Sequence, residues 1–139
     1  MQKLSADRKC FVCGPDNETG LHVSFLIDQH NKIAEATISV NDSFQGWRGV
    51  VHGGIISALL DEAAIYACRP IALHAVTSAL NVRFRKPVAT GRRIIVRAEV
   101  ISVRRKLAQV KSTLSADGEI LAEAEVKIML LNKEEELTA

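Results

Sequence analysis

Two neighbouring carboxylates, Asp61 and Glu62, stand inside the run Ile55-Ile-Ser-Ala-Leu-Leu-Asp-Glu-Ala-Ala-Ile-Tyr-Ala-Cys68, which is otherwise apolar or small. A carboxylate in such surroundings loses water and is costly to keep charged unless it is paired or used. Used, it is a base that activates water or a nucleophile that attacks a carbonyl directly. Otherwise it reaches solvent near the end of its element or pairs with a cation, for which Arg69 is the nearest choice. On a helix Asp61 and Glu62 project about 100° apart, so both cannot address one target.

Gly53 and Gly54 precede this run, after His52. Free N–H groups at a helix start attract developing negative charge, and glycine allows close approach of a reacting group. The pair therefore suits an oxyanion donor, or simply a tight turn into the helix. Arg83, Arg85 and Lys86 cluster further on, with Arg83 and Arg85 expected on one strand face, and Arg104 and Arg105 form a second basic group. Such clusters bind anions or are solvated faces. Cys10 and Cys13 form a Cys-x-x-Cys pair, but His22 and His30 do not complete a finger-like zinc spacing. No metal site is expected, and the pair is left without a role.

These groups need elements to hold them. Ala and Leu favour helix from Gly53 to Cys68, apolar nearly all round and hence buried; Arg69-Pro70 ends it. Strands are expected at 22–27 and 33–40 before the helix, and at 76–84, 94–103, 107–115 and 120–131 after it. Arg104-Arg105-Lys106 and Ala116-Asp117-Gly118 serve as turns, Asp-Gly being a strong hairpin signal. The order β-β-α-β-β-β-β makes an α+β domain, an antiparallel sheet of five to six strands with one helix. One domain spans 1–139, with an irregular lead-in over 1–20 and a frayed tail over 132–139.

A net charge of +2 is too mild to argue for nucleic acid. No run is apolar enough for a membrane span, and the first residues lack the apolar stretch of a secretory signal. Together with three cysteines, an odd number, this points to a soluble cytoplasmic protein.

The segment Phe44-Gln-Gly-Trp-Arg-Gly-Val-Val-His-Gly-Gly-Ile-Ile-Ser-Ala-Leu-Leu-Asp61, with an Asp nine residues after the His of His-Gly-Gly, resembles the hotdog-fold thioesterase superfamily. The likeness is to the branch of the phenylacetyl-CoA-pathway thioesterases and the human thioesterase superfamily members. It extends from about Cys10 to about Leu131 and includes Thr77 to Pro87 and the Cys-Phe-Val-Cys-Gly lead-in. The resemblance implies a sheet wrapped around the central helix and hydrolysis of acyl-CoA without a cofactor. It implies Asp61 as the catalytic carboxylate, the Gly53 N–H as oxyanion donor, His52 holding the thioester or its loop, and Thr77 placing water or substrate. Gln45 and Gly54 would contact substrate, although Gly46 stands where one branch carries an Asn. Arg83, Arg85 and Lys86 would meet the phosphates of CoA.

Gly53 and Asp61 lie eight residues apart, about 12 Å along one helix axis. A single thioester carbonyl cannot touch both, so if both act on it they come from different subunits. A homodimer follows, with a homotetramer as the larger option. Two other functions remain open: a hydratase or dehydratase of acyl thioesters on the same fold, and a non-catalytic acyl-CoA binder.

Overall fold

The computed structural model describes residues 8–131. In chain order these form strands β1 (Leu26–Asp28) and β2 (Ile33–Ser39), one 3-10 turn (Asp42–Phe44), helix α1 (Gly53–Ala67), and strands β3 (His74–Phe84), β4 (Arg93–Arg104), β5 (Leu107–Ala116) and β6 (Glu119–Leu131). The six strands make one antiparallel sheet in the order β1-β2-β4-β5-β6-β3. The α+β hotdog arrangement is therefore present, with six strands and a helix ending one residue before the expected Cys68. The tail over 132–139 lies outside the described residues.

Alternation explains which face of the sheet meets the helix. In β4 Ile94, Val96 and Ala98 are buried; in β5 Ala108, Val110, Ser112, Leu114 and Ala116; in β6 Ala122, Ala124, Val126, Ile128 and Leu130. The intervening positions carry charge, as at Glu99↔Lys111↔Glu125 across three strands, where opposite charges face each other. Many inward residues are alanines, so the helix approaches the sheet closely. It fits Leu59, Leu60, Ala63, Ala64 and Ala67, all fully buried, against them. Ser112, the fully buried polar residue among those described, is satisfied: its Oγ donates to the Leu60 carbonyl at 2.9 Å, tying β5 to the helix residue before Asp61.

The turns follow their chemistry. Asp117 and Gly118 both have positive φ, at 50° and 80°, as a two-residue hairpin of the twisted kind requires. Arg105, with φ 58°, performs the same service between β4 and β5. The expected first strand over 22–27 is mostly not a strand. His22 is left-handed at φ 53°, Val23 bonds instead to Val12 at 2.8 Å, and ladder pairing begins only at Leu26.

Two irregularities matter for the site. β3 is an edge strand, paired with β6 on one side only, and most of its side chains are exposed. Its register shifts between Thr77 and Ala79, a bulge that re-aims Thr77 relative to the rest of the strand.

Leu59→Ala should cost about 3 kcal/mol, because its cavity would be enclosed by helix and sheet. Urea unfolding followed by circular dichroism checks this, and a loss below about 1 kcal/mol would mean the helix–sheet seam is not closely packed.

Candidate active site

His52 caps α1: its Nδ1 accepts from the Gly54 N–H at 2.8 Å. A helix start leaves four N–H groups without helical partners. Here the His52 carbonyl takes those of Ile55 and Ile56, at 2.9 and 3.1 Å, and the His52 ring takes that of Gly54. The Gly53 N–H alone meets no acceptor among the described residues. With Nδ1 accepting, the ring proton of neutral His52 sits on Nε2, which leaves a second donor beside Gly53. Gly54, expected to contact substrate, has its N–H engaged by the cap.

Gly53 lines a cleft of 860 Å³ together with residues 46–47, 50–52, Ile56 and 84–88. The loop before the helix is braced from within: the Gln45 side-chain oxygen accepts from the Gly49 N–H at 2.9 Å, and the Gly46 N–H reaches the Val50 carbonyl at 2.9 Å. The Gln45 carbonyl oxygen thus serves the loop, with its amide NH₂ left for other contacts. A Cβ on Gly46 would stand 3.3 Å from the His52 ring, so the close approach there needs glycine or a shift of the cap. Trp47 is 86% exposed on the lip, and Phe84 lies over Gly53.

The basic residues divide. Arg85 and Lys86 line the cleft, held in exposed ion pairs with Glu123 at 2.6 Å and Glu119 at 2.7 Å. Exposed pairs of this kind contribute little and can yield to a phosphate. Arg83 instead lines a separate 450 Å³ groove on the outer sheet face with Asn81, Ser102, Gln109 and Lys111. Arg83 and Arg85 do share a neighbour, Glu123, whose carboxyl is held below its usual range mainly by the Arg85 hydrogen bond. Arg104 and Arg105 line a third depression with Ser78 and Met129.

Asp61 lies two turns along the same unbroken helix and does not line the Gly53 cleft. The Thr77 hydroxyl donates to its Oδ1 at 2.5 Å across from the bulge in β3. Among the described residues no ion pair involves Asp61; Arg69 stacks instead on the Tyr66 ring, 4.9 Å from its centre. Half-burial raises the Asp61 pKa, and the Thr77 hydrogen bond only partly opposes this. The arrangement is a carboxylate made more basic than usual and oriented by one hydroxyl. Glu62, on the next helix position, turns the other way and accepts from the Cys10 thiol at 3.1 Å. That contact was not legible in the sequence, because it joins residues 52 positions apart.

The chain matches the family model of the thioesterase superfamily over residues 48–123, which hold the helix, Asp61, Thr77 and the basic cluster. The chain belongs to the thioesterase superfamily. Among solved structures, a thioesterase superfamily protein, RHA08564, superposes on it with a TM-score of 0.81 at 22% identity, covering 89% of this chain and 61% of that one. A thioesterase-like, phenylacetic acid degradation-related protein from Ralstonia eutropha JMP134 matches at TM-score 0.73 and 25% identity, covering 79% and 86%. The E. coli PaaI protein of the phenylacetic acid degradation operon gives 0.74 at 23%, covering 81% of each. A curated relative is a 3-hydroxyacyl-acyl-carrier-protein dehydratase, FabZ of Solibacter usitatus, 38% identical over 55 residues, 40% of this chain and 34% of that protein. The match thus spans about a third of the length of the dehydratase. Within the thioesterase superfamily domain no helix of the described residues is long and apolar enough to cross a membrane.

The raised pKa of Asp61 has a sign for stability. Its folded pKa lies above the unfolded value, so the folded state holds this proton more tightly, and stability is lost as pH rises through the folded pKa. Asp61→Asn should therefore have a higher urea midpoint than the parent at pH 7. The gap should close as pH falls below the ordinary aspartate range. A midpoint lowered at pH 7 would mean that the carboxylate is held by more than Thr77.

Proposed function

We propose that this thioesterase superfamily protein hydrolyses acyl-CoA thioesters to free acid and CoA, as a homodimer in which each site takes groups from both protomers. The observation that carries the reading is the accounting at the helix start. Of the first four N–H groups of α1, only that of Gly53 is left over among the described residues, and Gly53 lines a cleft edged by Arg85 and Lys86. A thioester carbonyl there gains the Gly53 N–H and the His52 Nε2–H, while the two cations suit the phosphates of CoA. A solved structure of the same fold from Streptococcus mutans UA159 was obtained bound to acetyl-CoA; it superposes at TM-score 0.73 with 18% identity.

Asp61 supplies the second half. It takes a proton from water, aided by Thr77, and the hydroxide attacks the thioester carbonyl carbon. The tetrahedral oxyanion rests on the Gly53 N–H. Its collapse breaks the C–S bond, and the leaving sulfur receives the proton from Asp61, giving the free acid and CoA. Direct attack by the carboxylate, followed by hydrolysis of the anhydride, gives the same products. Neither route draws on a cofactor. Since Gly53 and Asp61 are separated by about 12 Å on one helix, the carboxylate comes from the partner. Self-association is supported by β3, an eleven-residue strand with one unpaired edge and exposed Leu80 and Phe84. Pairing of dimers into a tetramer would use further exposed sheet surface. Three free thiols fit a reducing, cytoplasmic setting.

The partial likeness to FabZ favours one second reading, hydration or dehydration of an acyl thioester. A panel of short, long and aromatic acyl-CoAs separates the two. Thiol release by the parent protein that falls about 10²–10⁴-fold in Asp61→Asn supports hydrolysis. Hydration of an enoyl-CoA with no thiol release supports the other.

A second variant tests the shared site. Proline suits the first position of a helix, and His52, at φ −59° and ψ 136°, already has the backbone a following proline demands. Gly53→Pro should therefore keep the fold, remove the N–H, and lower kcat by about 10²–10³-fold. Mixed and allowed to exchange subunits, Gly53→Pro and Asp61→Asn chains should recover about a quarter of parent activity, since half the dimers then hold one intact site of two. No recovery despite verified exchange would place both groups within one protomer's site and reject the shared arrangement.

A further inference from the structure

Away from the Asp61 site, about 100° around the same helix, the lead-in brings together Cys10, Cys13 and Glu62. One ligand atom from each, the two sulfurs and a carboxylate oxygen, lie within 4.8 Å of one another, all three residues being half-buried. The Cys10 thiol already points at Glu62 Oε2, 3.1 Å away. In a tetrahedral zinc site, with Zn–S about 2.3 Å and Zn–O about 2.1 Å, neighbouring ligand atoms stand about 3.5–3.8 Å apart. The three donors thus need only small movements to share one ion.

The backbone of the lead-in is built to present both sulfurs. Residues 10–14 fold into a tight turn closed by the Gly14 N–H on the Cys10 carbonyl at 2.8 Å. A Cβ on Gly14 would lie 2.4 Å from the Cys10 nitrogen and 2.6 Å from the Cys10 oxygen, so only glycine can close the turn behind the second cysteine. Bonds from Leu21 to Phe11, 2.7 Å, and from Val23 to Val12, 2.8 Å, then stitch the turn to the body. Tyr66, one helical turn beyond Glu62, neighbours Cys13 closely enough for each to shift the other's pKa, and a fourth ligand would come from solvent. The site would carry two thiolates and a carboxylate against a divalent ion. Arg69, stacked on the Tyr66 ring at 4.9 Å, is a nearby cation on the same helix end.

We propose that Cys10, Cys13 and Glu62 bind a divalent zinc ion that fastens the lead-in to α1. Soft thiolates select zinc over magnesium or calcium, and the single carboxylate completes a three-residue set. Binding exchanges the two thiol protons for the ion, releasing them to solvent. The carboxylate comes from the helix position next to Asp61 yet turns away from it, so the site is separate from the hydrolytic one.

The test uses the full chain, reduced, then freed of reductant and exposed to Zn(II) or Co(II). About one equivalent of zinc should survive gel filtration, and thermal unfolding should rise by about 5 °C or more. Co(II) should give thiolate-to-metal charge-transfer absorption, and Zn(II) should shield Cys10 and Cys13 from alkylation. Cys10→Ser and Cys13→Ser should lose the Co(II) band, Glu62→Gln should weaken Co(II) binding at least about tenfold, and Cys68→Ala should retain it. No band and no shielding in the folded, reduced parent protein would overturn the proposal. So would a band unchanged in Cys10→Ser, or a Cys10–Cys13 disulfide that persists through reduction. The parent-protein measurements decide the matter even where a variant fails to fold.

Discussion

An α-helix that is apolar on nearly every side must be covered on nearly every side, and the rest of this structure follows from meeting that demand around α1. One flat sheet would cover a single stripe. The sheet here curls instead, so that β2, β3, β4, β5 and β6 all touch the helix, with alanines on its inner face allowing close contact. The lead-in covers part of what remains, and its Cys10 and Cys13 arrive beside Glu62 for that reason. What the single chain leaves open is the stretch beside β3, where Asp61 meets Thr77. The carboxylate sits at the margin of the cover, dry enough for its pKa to rise and open enough for a reactant to reach it.

The same helix supplies two opposed chemistries at two places along its length. Its first turn offers hydrogen-bond donors, of which the His52 cap consumes all but one; its third turn offers a carboxylate. Rigid helix geometry fixes their separation, so no side-chain motion can bring them together within a chain. The proposed dimer resolves this by pairing unlike ends of two helices. It also accounts for why the cleft at Gly53 contains no acid among its lining residues.

Much of this was legible in the residues, and the parts that were not share a cause. The helix, its N-terminal glycines, five of the strands and the Asp117-Gly118 hairpin are written in local pattern: period, breaker and turn chemistry. The thioesterase superfamily was legible in the spacing of His52, Gly53, Gly54 and Asp61. What escaped depends on neighbours distant in sequence. Residues 22–25 look like a strand but have Val12 rather than a ladder partner. The bulge at Thr77 arises from pairing with β6. Arg83 and Arg85 lie near one acid as alternation requires, yet only Arg85 borders the cleft, since β3 ends between them. Gln45 was read as a substrate contact and Gly54 as another; the loop and the cap each use a polar group that local pattern left unassigned.

The order of the strands has a kinetic consequence. β4, β5 and β6 form a meander joined by two tight turns, so their pairings close short loops and cost little chain entropy. β2 reaches β4 across the whole helix, and β3 reaches β6 only after the meander exists. Folding that starts in the meander would add the helix and β2 next and close with β3. The last strand to dock is then the one that carries Thr77, so the carboxylate gains its hydroxyl partner only as the fold closes.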